Sequence, residues 1–260
     1  MTTKTTRPAA FECSDLALRY GGAGGKTIFE GLDLTVESGQ FLTILGGSGV
    51  GKSTLLRILA GLSPPNQGSV SVLGRPVTGP PADVVMVFQD YSRSLLPWRT
   101  VLDNAKLGVE ADLTAKDARV RAVEALEMVG LGQSMALHPW QMSGGMQQRL
   151  QIARALATKP SALLMDEPFG ALDALTKSSL QDQLRALQVE TGITILFVTH
   201  DVDEAIYLGD RCIVMSDRPA RIIDDAEIRL GRERDQLRTR ASDHFLELRE
   251  RLRGGLYRTT

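Results

Sequence analysis

The stretch that most restricts the fold is residues 41–62, FLTILGGSGVGKSTLLRILAGL. Phe41, Leu42, Ile44 and Leu45 form a short apolar run suited to a fully buried strand. Leu55, Leu56, Leu59 and Leu62 then recur at helical spacing, with Gly61 as a stop. Between strand and helix, Gly46, Gly47, Ser48, Gly49, Val50, Gly51, Lys52 and Ser53 spell G-x-x-x-x-G-K-S, and Thr54 follows. Polyphosphate needs backbone N–H donors at close range and the positive end of a helix dipole. A Cβ at Gly49 or Gly51 would obstruct that approach. Lys52 is placed to reach the β- and γ-phosphates, and the Ser53 hydroxyl to ligate Mg²⁺. The segment therefore predicts a nucleoside triphosphate site.

A second element bears on the same chemistry. Residues 163–167 (LLMDE) read as a buried strand ending in two carboxylates. Asp166 is placed to hold Mg²⁺ through water, and Glu167 to polarise an attacking water. Residues 142–149 (MSGGMQQR) place Ser143, Gly144 and Gly145 at a helix start, a second anion cradle. One triphosphate does not need two cradles on the same chain. The economical explanation is that Ser143–Gly145 grips a nucleotide held by another subunit.

The rest of the chain supplies a framework. Leu16, Leu18 and Tyr20 alternate, as do Leu32, Leu34 and Val36, around the glycine-rich residues 21–25. This predicts an antiparallel hairpin with a loose turn that includes Lys26. Residues 61–68 (GLSPPNQG) form a turn, Val70 and Val72 alternate, and residues 84–88 read as a further buried strand ending on Gln89. Residues 90–158 are helical in character, with Ala122, Val123, Leu126 and Val129 on one stripe and a second helix from Ser143 past Leu156. Strands at 162–165 and 194–199 flank a helix with a Leu180, Leu184, Leu187 stripe. Strands alternating with helices predict a parallel sheet covered on both faces. Beyond Arg221 the chain is rich in Arg, Asp and Glu and reads as a solvated face, closing with an amphipathic helix of Phe245, Leu248 and Leu252 capped by Ser242.

Taken together, these motifs resemble the nucleotide-binding subunits of ABC transporters over nearly the whole chain. Tyr20 falls where that family places an adenine-stacking aromatic, Gln89 matches its Q-loop and Ser143–Gly145 its signature. Asp166 and Glu167 match Walker B, Ala171-Leu172-Asp173 the D-loop and His200 the switch histidine. Met142 and Met146 depart from the commoner Leu and Gln, leaving Ser-Gly-Gly intact. Residues 95–104 (LLPWRTVLDN), 166–174 (DEPFGALDA) and 199–205 (THDVDEA) are similar to the nitrate/sulfonate/taurine importers. Trp98 is similar to the surface there that receives a permease.

The resemblance implies an α/β fold: a P-loop NTPase parallel sheet core, an N-terminal antiparallel β subdomain and an inserted helical subdomain. The core would take residues 10–90 and 159–225, the helical part 91–158, and a charged tail 226–260. Lys52, Gln89, Glu167 and His200 would be catalytic. Tyr20, residues 46–54, Ser143, Gly144, Gly145 and Asp173 would contact ATP, and Ser53, Gln89 and Asp166 would serve Mg²⁺. The implied partners are a second copy in a head-to-tail homodimer, transmembrane permease subunits and, indirectly, a solute-binding protein. The subunit would power import of a small anion such as nitrate, a sulfonate or taurine, held peripherally at the cytoplasmic membrane face.

Composition weighs against the rivals. Thirty Lys plus Arg against 31 Asp plus Glu give no electrostatic case for nucleic acid. A DNA-maintenance ATPase would need long heptad arms or zinc-binding cysteine clusters, whereas this sequence has only Cys13 and Cys212, expected as reduced core thiols. A ribosome-associated relative would carry two cassettes, and a small-molecule phosphotransferase would leave Ser143–Gly145 unexplained. No run approaches 18 apolar residues, and MTTKTTRPAA lacks the apolar core of a secretory signal.

Overall fold

The structure is a computed structural model that describes residues 7–21, 25–90 and 94–257. The centre of the hairpin turn, residues 22–24, and residues 91–93 after Gln89 lie outside the described residues. Alternation does build the hairpin: β1 (Ala9–Tyr20) pairs antiparallel with β2 (Lys26–Glu37), Cys13 opposite Leu34 and Leu16 opposite Leu32. Lys26 is not in the turn; it opens β2 opposite Tyr20. β4 (Gln67–Val72) lies on the other side of β1, and the short β5 (Arg75–Pro76) completes a four-stranded sheet ordered β2-β1-β4-β5.

The second sheet has six strands. β3 (Phe41–Gly46), β6 (Val84–Val87), β7 (Ala162–Asp166), β8 (Thr194–Val198), β9 (Arg211–Met215) and β10 (Ile222–Glu227) lie in the order β10-β9-β3-β8-β7-β6. All neighbours are parallel except β10 against β9. β3, β7 and β8 are buried along their full length, as their unbroken apolar runs require. β6 differs from expectation: it pairs only with β7, so three of its four residues are only partly buried.

Alternate residues serve opposite layers. Phe41, Leu45, Leu163, Met165, Ile195 and Phe197 pack in one core, while Leu42, Ile44, Leu164, Leu196 and Val198 join the other beneath the antiparallel sheet. The second core takes Leu55, Leu56 and Leu59 from α1 (Lys52–Leu59). Gly61, at φ 67°, follows that helix, and Leu62 falls beyond it, 49 % exposed rather than on the buried stripe. α2 (Val101–Lys106), α3 (Ala115–Met128) and α4 (Gly144–Ala157) lie between β6 and β7. α5 (Ala174–Thr191) and α6 (Val202–Leu208) follow β7 and β8. The chain is thus an α/β fold with an added antiparallel sheet. The loops after β3, β7 and β8 emerge at the strands' carboxyl ends, where sheets of this kind place their ligands.

Most charged side chains of the tail are solvated, as expected, but several make specific contacts with the core. Residues 222–227 form β10 inside the expected charge-rich stretch. Arg234, almost wholly buried, donates to the carbonyls of Ile206, Tyr207 and Gly209 at the end of α6. From α7 (Asp243–Tyr257), Arg249 grips Asp203 with two 2.7 Å bonds, and Arg251 pairs with Asp224. Phe245, Leu248 and Leu252 of α7 are buried as expected, and Ser242 accepts from the Phe245 N–H. Cys13 and Cys212 are free and buried, and burial pushes both thiols up to about 12.

Candidate functional site

The loop between β3 and α1 is shaped by glycine at both ends. Gly49 and Gly51 adopt φ of 76° and 123°, conformations that side chains disfavour. A Cβ on Gly51 would lie 2.8 Å from Ile28 Cγ2 and 3.0 Å from Phe29 Cε1. Gly51 is therefore required by the packing of β2 against the loop, which adds to the expected need for ligand clearance. Gly46 is held as closely by the Met215 carbonyl, 3.0 Å from its would-be Cβ. Val50 is buried, which leaves Ser48 and Gly49 at the exposed crest. No side chain caps α1 at Gly51, so its N-terminal dipole end is open to an anion. Thr54 lies in the first turn of α1, partly buried.

Lys52 folds back into this cradle. Its Nζ donates to the carbonyls of Gly46 and Gly47, both at 2.8 Å. Burial pulls its pKa down, against the opposing pull of Glu167 and Asp166. The Ser53 hydroxyl donates to Asp166 Oδ1 at 2.9 Å. Burial raises the Asp166 pKa, and the Ser53 bond only partly offsets that. A desolvated carboxylate beside a hydroxyl, at the foot of a phosphate loop, is a fitting donor set for a hard divalent cation.

Glu167 gathers the remaining groups. Its Oε2 accepts from Gln89 Nε2 at 3.3 Å and lies 3.2 Å from His200 Nδ1. The Glu167 backbone sits at φ 47°, while its N–H donates to the Val198 carbonyl at 3.0 Å. A non-glycine residue held there costs about 1–3 kcal/mol, and such strain clusters at functional sites. Lys52, Ser53, Gln89, Asp166, Glu167 and His200, far apart in sequence, thus meet at one end of the sheet.

Tyr20, Ser143 and Asp173 do not join them. Tyr20 ends β1, half exposed. Ser143 caps α4 and accepts from the Met146 N–H at 3.3 Å, with Gly144 and Gly145 in the first turn. Asp173 caps α5, and the Thr176 N–H holds its carboxyl below the usual range. Among the described residues none of the three hydrogen-bonds to residues 46–54. The chain carries two helix starts suited to an anion, the open one at residues 46–54 beside the acidic and cationic groups and one capped by Ser143.

The family model described as ABC transporter matches residues 29–170, more than half of the chain. The chain belongs to the ABC transporter family. This ABC ATPase binds ATP and hydrolyses it in the service of transport. It is 41 % identical over 250 residues to a taurine import ATP-binding protein of Rhizobium johnstonii, covering 94 % of this chain and 93 % of that one. It is also 41 % identical over 239 residues to a nitrate import ATP-binding protein of Synechococcus elongatus, covering 90 % and 86 %. Among solved structures it is similar to a dimeric ATP-binding cassette in a post-hydrolysis state with ADP and phosphate. The TM-score is 0.77 at 31 % identity, covering 84 % of this chain and 99 % of that one. Among the described residues no helix is long and apolar enough to cross a membrane.

Supports for this ABC ATPase's site also come from residues around the motif positions. Asp201 accepts from the N–H groups of Asp203 and Glu204 and so caps α6 directly after His200. Lys177 of α5 bridges Asp201 at 2.9 Å and Glu204 at 3.1 Å, and Thr199 donates to Glu204. Gln148 of α4, almost fully buried, accepts from the Ala171 N–H at 3.1 Å and so joins the helix after Ser143 to the loop before Asp173. The Lys177 and Gln148 contacts are single long-range pairs and leave no periodicity in the sequence.

Proposed function

We propose that two copies of this chain close head to tail on two ATP molecules and power import through a separate membrane permease. The observation that carries this reading is the split between the cradles: residues 46–54 lie beside Asp166 and Glu167, while Ser143–Gly145 opens elsewhere on the same chain. A two-fold pair completes both sites with the same contacts. ATP favours the closed pair because only that state adds the Ser143–Gly145 contacts.

Within each site, residues 46–54 bind the triphosphate, Lys52 neutralises its charge, and Tyr20 stacks on the adenine. Ser53 and Asp166, with Gln89 nearby, would hold Mg²⁺, which supplies charge neutralisation on the phosphates. Glu167 takes the proton of the attacking water. His200 and Gln89, both on Glu167 Oε2, orient that carboxylate. Asp173 fixes the start of α5 at the subunit junction.

The helical segment 91–158 carries both Ser143 and Trp98, which is 73 % exposed. Trp98 and its neighbours receive the permease, which holds the subunit at the cytoplasmic membrane face and links it indirectly to a solute-binding protein. Equal identity to subunits named for nitrate and for taurine import supports a small solute bearing an anionic oxo group, such as nitrate or a sulfonate, as the cargo class. The test is Glu167→Gln: ATP binding persists, turnover falls about 10²–10⁴-fold, and ATP-bound dimer accumulates. Near-normal turnover removes Glu167 from its role.

A further inference from the structure

A cavity of about 530 Å³ lies between the edge strand β6 and the helices α2–α4, away from the phosphate loop. One part of its wall is apolar, with Val85, Leu107 and Leu113, and the other carries Arg121, Gln151 and Arg154. The polar groups there are short of partners. Gln151 is 3 % exposed, yet neither its amide oxygen nor its amide nitrogen has a hydrogen-bond partner. Natural proteins leave few buried amides in that state, and each asks for a reason. Among the described residues no carboxylate pairs with Arg121 or Arg154, in contrast to Arg99 on Glu110, Arg211 on Asp225 and Arg249 on Asp203. Arg154 makes one bond, to the Ser94 carbonyl at 2.5 Å, which ties the cavity to the chain following Gln89.

The wall also holds Asp112, its only carboxylate, so two guanidinium groups against one acid leave a formal charge of +1. That balance matches a singly charged anion better than phosphate. The apolar wall matches a hydrocarbon stem better than an inorganic ion. A neighbouring cavity of about 580 Å³ shares Arg121, but there the second cation, Lys159, is already paired with Glu124 at 3.7 Å.

We propose that this cavity binds a small organic monoanion, a carboxylate or sulfonate on a short apolar stem, with Arg121 and Arg154 holding the head group. The Gln151 amide supplies a further donor behind them. Burial already lowers the Arg154 pKa, as expected for a desolvated guanidinium without an anion beside it.

The test is calorimetric titration of the full chain, with ADP saturating the phosphate loop. The probes are 4-methylpentanoate, 3-methylbutane-1-sulfonate and the neutral 4-methylpentanamide. At least one anion is expected to bind saturably and the amide about tenfold or more weaker; whichever anion binds names the head group. Arg121→Gln removes a charge but, among the described residues, no hydrogen bond or ion pair, so it is expected to fold and to weaken the anion about ten- to a hundredfold. Gln151→Leu removes the unpartnered amide and is also expected to weaken it. The proposal is overturned if neither anion binds saturably, if the amide binds equally well, or if both variants bind like the wild type.

Discussion

The Ser53 hydroxyl and the Asp166 carboxylate, 113 positions apart in the chain, meet at 2.9 Å where α1 begins and β7 ends. Burial holds the Asp166 pKa above its ordinary value of 3.8. A carboxyl raised in this way contributes stability that is full below its ordinary pKa and lost as the pH rises through its folded pKa. At pH 7 the ionised Asp166 is therefore a burden on the nucleotide-free fold. Asp166→Asn is expected to raise the melting temperature at pH 7, with the gain vanishing below about pH 3.8, and to abolish stabilisation by MgATP relative to ATP alone. Melting curves across pH check this, and a variant less stable than wild type at pH 7 contradicts it.

Lys177 makes the opposite case. Burial pulls its pKa down, but Glu204 and Asp201 outweigh that and raise it; burial likewise pushes Asp201 up, and Lys177 with the N–H groups of Glu204 and Asp203 outweighs it and holds Asp201 low. Asp201's share of the stability is present above the usual aspartate range and is lost as the pH falls through its folded pKa. Lys177→Met leaves the buried Glu204 without its cation and is expected to cost about 1–3 kcal/mol at pH 7. The deficit should shrink once Asp201 is protonated in both proteins. A deficit unchanged by acid would place the contribution in packing instead.

Tyr20 ends β1 half exposed, so its ring face is available. If it stacks on adenine, Tyr20→Ala loses about 1–3 kcal/mol of ATP affinity, or roughly five- to a hundredfold in Kd. Tyr20→Phe is expected to be nearly silent. Equal losses for Phe and Ala, measured by equilibrium binding, would assign the effect to the hydroxyl.

The parts of this molecule that could be read from sequence are those written in local patterns. The apolar runs of β3, β7 and β8 and the glycine spacing around Lys52 are visible because burial on both faces and a close backbone approach each impose their own composition. Gln89 and His200 carry no such mark; only their order along the chain singles them out, and the fold brings both to Glu167 Oε2. β10 escaped because Ile222–Glu227 reads IIDDAE, an edge strand whose Asp224 is matched by Arg251 from a helix far along the chain. Arg234 escaped for the same reason: its partners are carbonyls at the end of α6. β6 kept its apolar residues but sits at an edge, where strand composition says little about exposure.

The central claim is that each ATP site is shared between two copies, with Ser143 serving the nucleotide held by the partner's Lys52. The most direct measurement is ATP-driven association of two tagged heterodimers, both built on Glu167→Gln so that ATP is not consumed. In one, a Lys52→Ala chain meets a Ser143→Arg chain, which places both lesions in one composite site and leaves the other whole. In the second, a chain carrying both substitutions meets a chain carrying neither, so each site has one damaged half. The account predicts that the first pair associates at least about tenfold more tightly, the scale set by losing charge-assisted hydrogen bonds to phosphate. Equal association of the two pairs would contradict a site divided between subunits.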